Sequence, residues 1–379
     1  MKVLINALNL RVGGGVTVVF NFLKTIIDKE EFHHHSFYVL APPQVGYEEY
    51  EHYPVKVEIT PMSKISPIKR LVTDHTWLKR KINEINPDVV FSMGNFAVPT
   101  NKKQAVLFML PYAIYPEDKK VWGLLDLKTR FDFRLRNELF KSRLKYADVL
   151  FPQTKTSQKR LNKYYPNHIP RTIVIPTAYS RISSQMGKNH FFKKNENNIY
   201  LLCLTKYYKH KNVEIFIPLA KKLKHTNSNI RILTTVEGDQ GVGSQEFIDS
   251  IVDSKLEDYI INIGKIPMTA VPSLYDKIDG LILPTLLESF SATYADSLTF
   301  KKPIFTSERD FARDVCGDAA FYFDPHKVDD IYNHIVDAFN HPEKIKKKIE
   351  LGYSRITQLP TWDTVTATYI NALQELCGE

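Results

Sequence analysis

Three cysteines in 379 residues, Cys203, Cys316 and Cys377, stand far apart with no paired spacing, which argues against a disulfide framework and a cysteine-built metal cluster. A reducing, cytosolic setting is the expectation. No run of eighteen apolar residues occurs, so no membrane-spanning helix is expected. The opening MKVLINALNLRVGGG has too short an apolar stretch for a secretory leader, and export is not expected either. Internal repeats and low-complexity segments are absent. So is any Asp-x-Asp triplet, which removes the usual carboxylate pair for a metal-bridged diphosphate.

What is present is globular in kind: 43% hydrophobic and 25% charged residues, in a chain long enough for two cores. A net charge of +9 points to anionic partners, and nucleic acid, acidic lipid headgroups and phosphorylated small molecules all qualify. Short β-branched runs at 37–40, 55–59, 89–92, 105–109, 149–152 and 172–175 follow a first strand at 2–8. Helical patterns at 16–27, 68–85 and 131–146 lie between several of them. A polar stretch, 179–198, then reads as a linker. A second series has strands at 199–204, 230–234, 260–263, 280–283, 303–306 and 320–323. Alternation of this kind predicts an α/β chain with two parallel-sheet domains, 1–178 and 199–360. The segment 361–379 reads as a final helix, with Val365, Tyr369, Ala372, Leu373 and Leu376 on one face, expected to pack back on the first domain.

Four stretches carry the chemistry-bearing residues. Gly13, Gly14 and Gly15 sit between the first strand and a helix, where backbone can approach a phosphate or sugar, or simply turn tightly; their contiguity is not the spaced dinucleotide fingerprint. Lys206 and Lys211 follow the first strand of the second series, five apart and ahead of a helix. They suit either a diphosphate held by point charges or a solvated basic loop. In LILPTLLESFSATYADSLTF, Glu288 lies at the end of a strand and Ser289 or Ser291 is placed to cap the next helix. That is a site for a phosphate beside a hydroxyl-bearing group, or an ordinary loop with a surface carboxylate. From 128 to 145, seven basic residues, among them Arg134, Arg136 and Arg143, face two acids on an amphipathic pattern. Either an anionic membrane surface or solvent suits that face. His33, His34 and His35 point in different directions and are expected in a solvated loop.

Lys206 and Lys211 with Asn212, followed by LYDKIDGLILPTLLESFSATYADSLTFKKPIF, resemble the family-4 glycosyltransferases of the GT-B fold. The likeness extends to the glycine loop near residue 14 and to Trp362. It implies two Rossmann-like domains facing across a cleft and a retaining transfer of a hexose from a nucleotide diphosphate sugar. The acceptor would be a glycan or lipid-linked molecule of surface-polysaccharide assembly. By the same resemblance Lys206 and Lys211 hold the donor diphosphate. Glu288, with Ser289, Phe290 and Ser291, contacts the sugar, and Asp296 binds the nucleotide ribose. Gly14 and Gly15 approach from the first domain. The leaving phosphate oxygen takes the acceptor proton, so neither a protein nucleophile nor a metal or other cofactor is implied.

Three positions depart from the family pattern. Residue 296 is Asp where Glu is usual, Ser289 and Ser291 stand where glycines are common, and the run Phe108 to Tyr112 lacks the His that many relatives place near the acceptor. Two other readings therefore compete: a catalytically silent nucleotide-sugar binder, and a basic nucleic-acid-binding protein, which has charge alone to support it. On the leading reading the enzyme has no nucleic-acid partner and docks at the inner face of the cell membrane through its basic helix.

Overall fold

The computed structural model describes residues 1–60, 69, 72–178 and 192–378. The chain divides into two compact units, residues 1–178 with 360–379, and residues 179–359. In unit 1 the strands are β1 (Lys2–Asn6), β2 (Ser36–Ala41), β3 (Val55–Ile59), β4 (Val89–Ser92), β5 (Lys103–Phe108), β6 (Val149–Pro152) and β7 (Arg171–Thr172). They form one parallel sheet in the order β3-β2-β1-β4-β5-β6-β7. In unit 2, β8 (Ile199–Cys203), β9 (Ile230–Thr234), β10 (Ile260–Asn262), β11 (Gly280–Leu283), β12 (Ile304–Ser307) and β13 (Ala320–Phe323) form a second parallel sheet, ordered β10-β9-β8-β11-β12-β13.

The near-continuous apolar runs of the central strands reflect burial on both faces. Every residue of β4, β6 and β11 is buried. Helix Gly14–Asp28 covers one face of the first sheet with Val18, Val19, Phe22, Leu23 and Ile26. The C-terminal helix Trp362–Cys377 shares that face. Its Tyr369 ring lies 5.8 Å from Phe22 and 5.3 Å from both Phe91 and Phe151. The opposite face takes Leu78, Ile82 and Ile85 against Leu4, Leu40 and Val90.

Three expectations change in detail. β7 is shorter than the run 172–175, although Ile173 and Ile175 continue to donate to β6 carbonyls at 3.0 Å; Pro170 and Pro176, which have no N–H, bound the segment. Of the helix read at 68–85, the described part comprises α-helical residues 69, 72 and 73, a π-helical turn, Asp74–Leu78, and an α-helix, Lys79–Ile85. His35 is buried rather than solvated. Its Nδ1 is 3.3 Å from the Met1 amino group, and burial, with His34 beside it, holds its pKa down at about 4. The linker read at 179–198 falls mostly on residues 179–191, outside those described.

Candidate functional site

In an open, doubly wound parallel sheet the strand order reverses once, and the loops on either side of that reversal diverge at the carboxyl ends to leave a crevice. In unit 2 the reversal lies between β8 and β11. The loop after β8 carries Lys206 and Lys211, and the loop after β11 carries Glu288. Residues 77 positions apart in sequence are brought into contact there: Lys211 Nζ donates to Glu288 Oε1. Both side chains are largely buried, at 15% and 10% exposure, so the ion pair sits at the mouth of the crevice rather than in bulk solvent.

The two loops are held by their own backbone. Leu286 N–H donates to His210 O at 2.7 Å, and Thr285 Oγ1 donates to the same carbonyl at 3.3 Å. Asn212 adopts a left-handed conformation, φ 56°, which Asn tolerates better than most residues. Its Nδ2 then reaches Pro284 O at 3.3 Å and Pro325 O at 2.8 Å, tying the loops after β8, β11 and β13 together. Lys206 is half-buried and has no ion-pair partner among the described residues. Lys209, between the two candidate lysines, instead pairs with Glu214 at 2.8 Å, and Tyr207 OH donates to the same carboxylate at 2.5 Å.

Glu288 and the flanking Ser289 and Ser291 are each at most 8% exposed, and Phe290 is half-buried. The helix that follows is Ala292–Thr299, with Ser291 in the capping position. Its hydroxyl, however, meets Thr293 Oγ1 at 2.9 Å instead of closing on a backbone N–H. Ser291 therefore makes no side-chain cap; Tyr294 N–H closes on Ser291 O at 3.2 Å, and the N–H groups of Ala292 and Thr293 precede that bond. Asp296, one turn in, is 7% exposed. Its carboxylate has no hydrogen-bond partner among the described residues, and burial alone raises its pKa from 3.8 to about 7.

The glycine loop at 238–243, to which the sequence assigned no chemistry, packs against the lysine loop. Gln240 Oε1 accepts from Tyr207 N at 2.6 Å. A Cβ at Gly243, where φ is +96°, would come within 2.3 Å of Tyr207 Oη and 2.5 Å of Lys209 Nζ. A positive-φ glycine at close approach was the signal available, and only the fold shows which loop it approaches.

In unit 1 the reversal falls between β1 and β4. The loop after β1 holds Gly13, with φ +80°, and the helix begins at Gly14. A Cβ at Gly14 would meet nothing within 4 Å, whereas one at Gly15 would collide with Leu10 at 2.8 Å and Met109 at 3.2 Å. Gly14 thus faces open space, and Gly15 lies close against the side-chain ends of Leu10 and Met109. Tyr112, in the run Phe108 to Tyr112 that contains no His, is buried and stacks on Phe133 at 4.0 Å.

The basic helix, Leu127–Arg143, requires one correction. Arg134 and Arg136 are exposed, but Arg143 is 2% exposed, 3.5 Å from Asp74 Oδ2 and 3.4 Å from His75 Nε2. It faces the interior because position 143 continues the stripe of Leu139 and Phe140. Arg143 is withdrawn as a membrane-surface candidate. Apolar side chains take the outer position instead: Leu124, Leu127 and Phe131 are 44%, 82% and 65% exposed. Among the described residues no group of three or more His, Cys, Asp or Glu is placed to hold a metal, and no helix is long and apolar enough to cross a membrane.

Residues 187–355 match the family described as glycosyl transferases group 1. The O-antigen chain mannosyltransferase RfbU of Salmonella typhimurium is 25% identical over 146 residues, which are 38% of this chain and 40% of that protein. The chain thus matches less than half the length of this curated relative. Sucrose-phosphate synthase from Thermosynechococcus elongatus superposes with a TM-score of 0.76 at 12% identity, covering 100% of this chain and 99% of that one. HepE from Anabaena, solved with UDP and glucose, gives 0.69 at 14% identity, covering 99% and 100%. At such identities these two similarities bear on the fold alone, and the fold they share is the two-domain GT-B type.

Proposed function

With residues 187–355 a glycosyl transferases group 1 domain, we propose that the protein is a retaining hexosyltransferase that moves a sugar from a nucleotide diphosphate donor to a glycan or lipid-linked acceptor in surface-polysaccharide synthesis. The observation that carries this reading is the meeting of Lys211 and Glu288 at the strand-order reversal of unit 2. The Lys211 ammonium, paired with Glu288, is positioned to neutralise the departing diphosphate, and Lys206 adds a second positive charge from the same loop. The uncapped N–H groups at the start of helix Ala292–Thr299 add their dipole, and Glu288 accepts sugar hydroxyls. Charge at the leaving group is then met by lysines without a bound metal, and turnover should survive exhaustive chelation.

Asp296 is the proposed ribose acceptor, and its environment makes the reading testable. A carboxyl raised to about 7 is mostly neutral at pH 6 and mostly ionised at pH 8. Ribose hydroxyls donate to the ionised form, so donor binding releases a proton. Affinity for the cognate nucleotide sugar should rise about tenfold from pH 6 to pH 8 and then level. The ligand-free protein runs the other way. Between its unfolded value of 3.8 and about 7 the folded chain holds a proton that the unfolded chain has lost, so this group's contribution to stability falls as pH rises through that window. Calorimetric titration of a panel of uridine and guanosine diphosphate sugars across that range checks both the donor class and the slope. A slope that persists unchanged in Asp296→Asn removes the residue from the ribose site. Binding without transfer to any acceptor would favour the catalytically silent alternative.

Membrane association belongs to the same proposal. Phe140 packs on Phe108, the last residue of β5, at 5.3 Å, and Asn137 donates to Tyr112 O at 3.0 Å. The helix runs antiparallel to the strands, so its first turns lie beyond their carboxyl ends. Leu124, Leu127 and Phe131 are exposed there among Lys119, Lys120, Lys128 and Arg134, with Asp126 and Asp132 also nearby, an apolar ridge in a predominantly basic surround that suits an anionic bilayer. Leu127→Ser with Phe131→Ser should weaken binding to phosphatidylglycerol vesicles about tenfold while donor affinity is kept. Equal vesicle binding by the variant would place the docking surface elsewhere.

A further inference from the structure

A second concentration of positive charge lies in unit 1, away from the carboxyl edge of its sheet. Lys102 and Lys103 enter β5 and Asp148 immediately precedes β6, so the cavity they border, about 450 Å³, opens at the amino ends of those strands. Lys79, Lys145 and His75 complete its charged lining. Four ammonium groups therefore face one carboxylate. Lys103 Nζ is 3.5 Å from Asp148 Oδ1, and Lys102 Nζ donates to Asn86 Oδ1 at 2.6 Å. Lys79 and Lys145 have no carboxylate partner among the described residues, although Lys145 lies 5.1 Å from the centroid of the Tyr146 ring.

Lys79, Lys103 and Lys145 are exposed and Lys102 is half-buried, so the pocket is open to water and its ammonium groups are accessible to an incoming anion. Behind the lining, the buried Arg143 guanidinium lies 3.4 Å from His75 Nε2 and is paired with Asp74 at 3.5 Å, so that pair adds no net charge. His75 itself is presented by the π-helical turn Asp74–Leu78, a departure from α geometry of a kind found frequently at functional sites. Some of the lysines are also held in place, Lys102 by Asn86 and Lys145 over Tyr146, so less ordering entropy is lost when an anion arrives.

We propose that this pocket binds a multiply charged phosphate ligand of the diphosphate class, at a site separate from the loops that follow β8 and β11. The volume suits a small molecule, and an excess of about three positive charges favours a polyanion over a monoanion. A free diphosphate and the diphosphate end of a lipid share this chemistry.

The test titrates inorganic diphosphate into the full chain by calorimetry at physiological salt, in a Lys206→Ala, Lys211→Ala background that silences the unit 2 loops. One diphosphate per chain should still bind. Adding Lys79→Glu and Lys145→Glu should weaken that binding at least tenfold with an unchanged melting temperature, and Lys79→Met with Lys145→Met gives the same readout should charge reversal impair folding. Vesicles carrying a lipid diphosphate separate the sources: capture that free diphosphate competes away assigns the lipid, and no capture assigns the free anion. Absence of binding in the silenced background, or binding indifferent to Lys79 and Lys145, overturns the proposal. No transfer reaction enters this titration, so its failure leaves the donor reading standing.

Discussion

Lys211→Ala is expected to slow transfer from the cognate nucleotide diphosphate sugar by about a hundredfold, the scale of loss when one preorganised donor to a developing anion is removed. The side chain is only 15% exposed, so water replaces it poorly, and its removal leaves the Glu288 carboxylate beside an incoming diphosphate without a countercharge. Two comparisons sharpen the expectation. Lys209→Ala, two residues away on the same loop, should change turnover by no more than a few-fold, because that ammonium pairs with Glu214 of its own segment, whereas Lys211 reaches Glu288 on the loop after β11. Lys211→Arg should recover part of the rate, since charge is retained while the fit to Glu288 is altered. Steady-state kinetics on the three variants decide the matter. Equal losses in Lys209→Ala and Lys211→Ala would reduce the effect to bulk positive charge and remove Lys211 from a specific role.

The second large effect concerns folding. Arg143→Met should destabilise unit 1 by about 3 kcal/mol or more, because the Asp74 carboxylate, 1% exposed, loses the Arg143 guanidinium. For a unit of this size that corresponds to a fall in melting temperature of about 6–12 °C. The pair separation is 3.5 Å, and Arg143 Nε finds no hydrogen-bond partner among the described residues. The intact pair is thus not strongly favourable in itself, and most of the loss comes from abandoning one charge in the interior. Arg143→Met combined with Asp74→Leu should accordingly recover most of the stability lost in the single variant. Scanning calorimetry on single and double variants would sink this account if the double were no more stable than Arg143→Met.

Both expectations rest on features that differed in legibility. The strands were readable because parallel sheets bury both faces and write continuous apolar runs; β3, β4, β6, β9, β11 and β13 begin and end where the runs do. Strand order was not readable, since it depends on which crossover helices lie on which face. Glu288 and Lys211 could be named individually, yet their contact depends on β8 and β11 being neighbours. Arg143 shows a different limit. Seven basic residues on one helix look alike in sequence, and what singles one out is Asp74, almost seventy positions earlier and on another helix. Gln240 and Gly243 went unassigned for a related reason: a glycine loop announces close approach without naming what it approaches.

The C-terminal helix Trp362–Cys377 belongs to unit 1, although the chain has by then traversed the whole of unit 2. Synthesis on the ribosome proceeds in the opposite order to completion. Phe22, Phe91 and Phe151 emerge early, but the ring that fills the space among them, Tyr369, is translated only after residues 179–359. Unit 2 is continuous and can close its core first, while unit 1 waits with an open apolar face until helix Trp362–Cys377 is released.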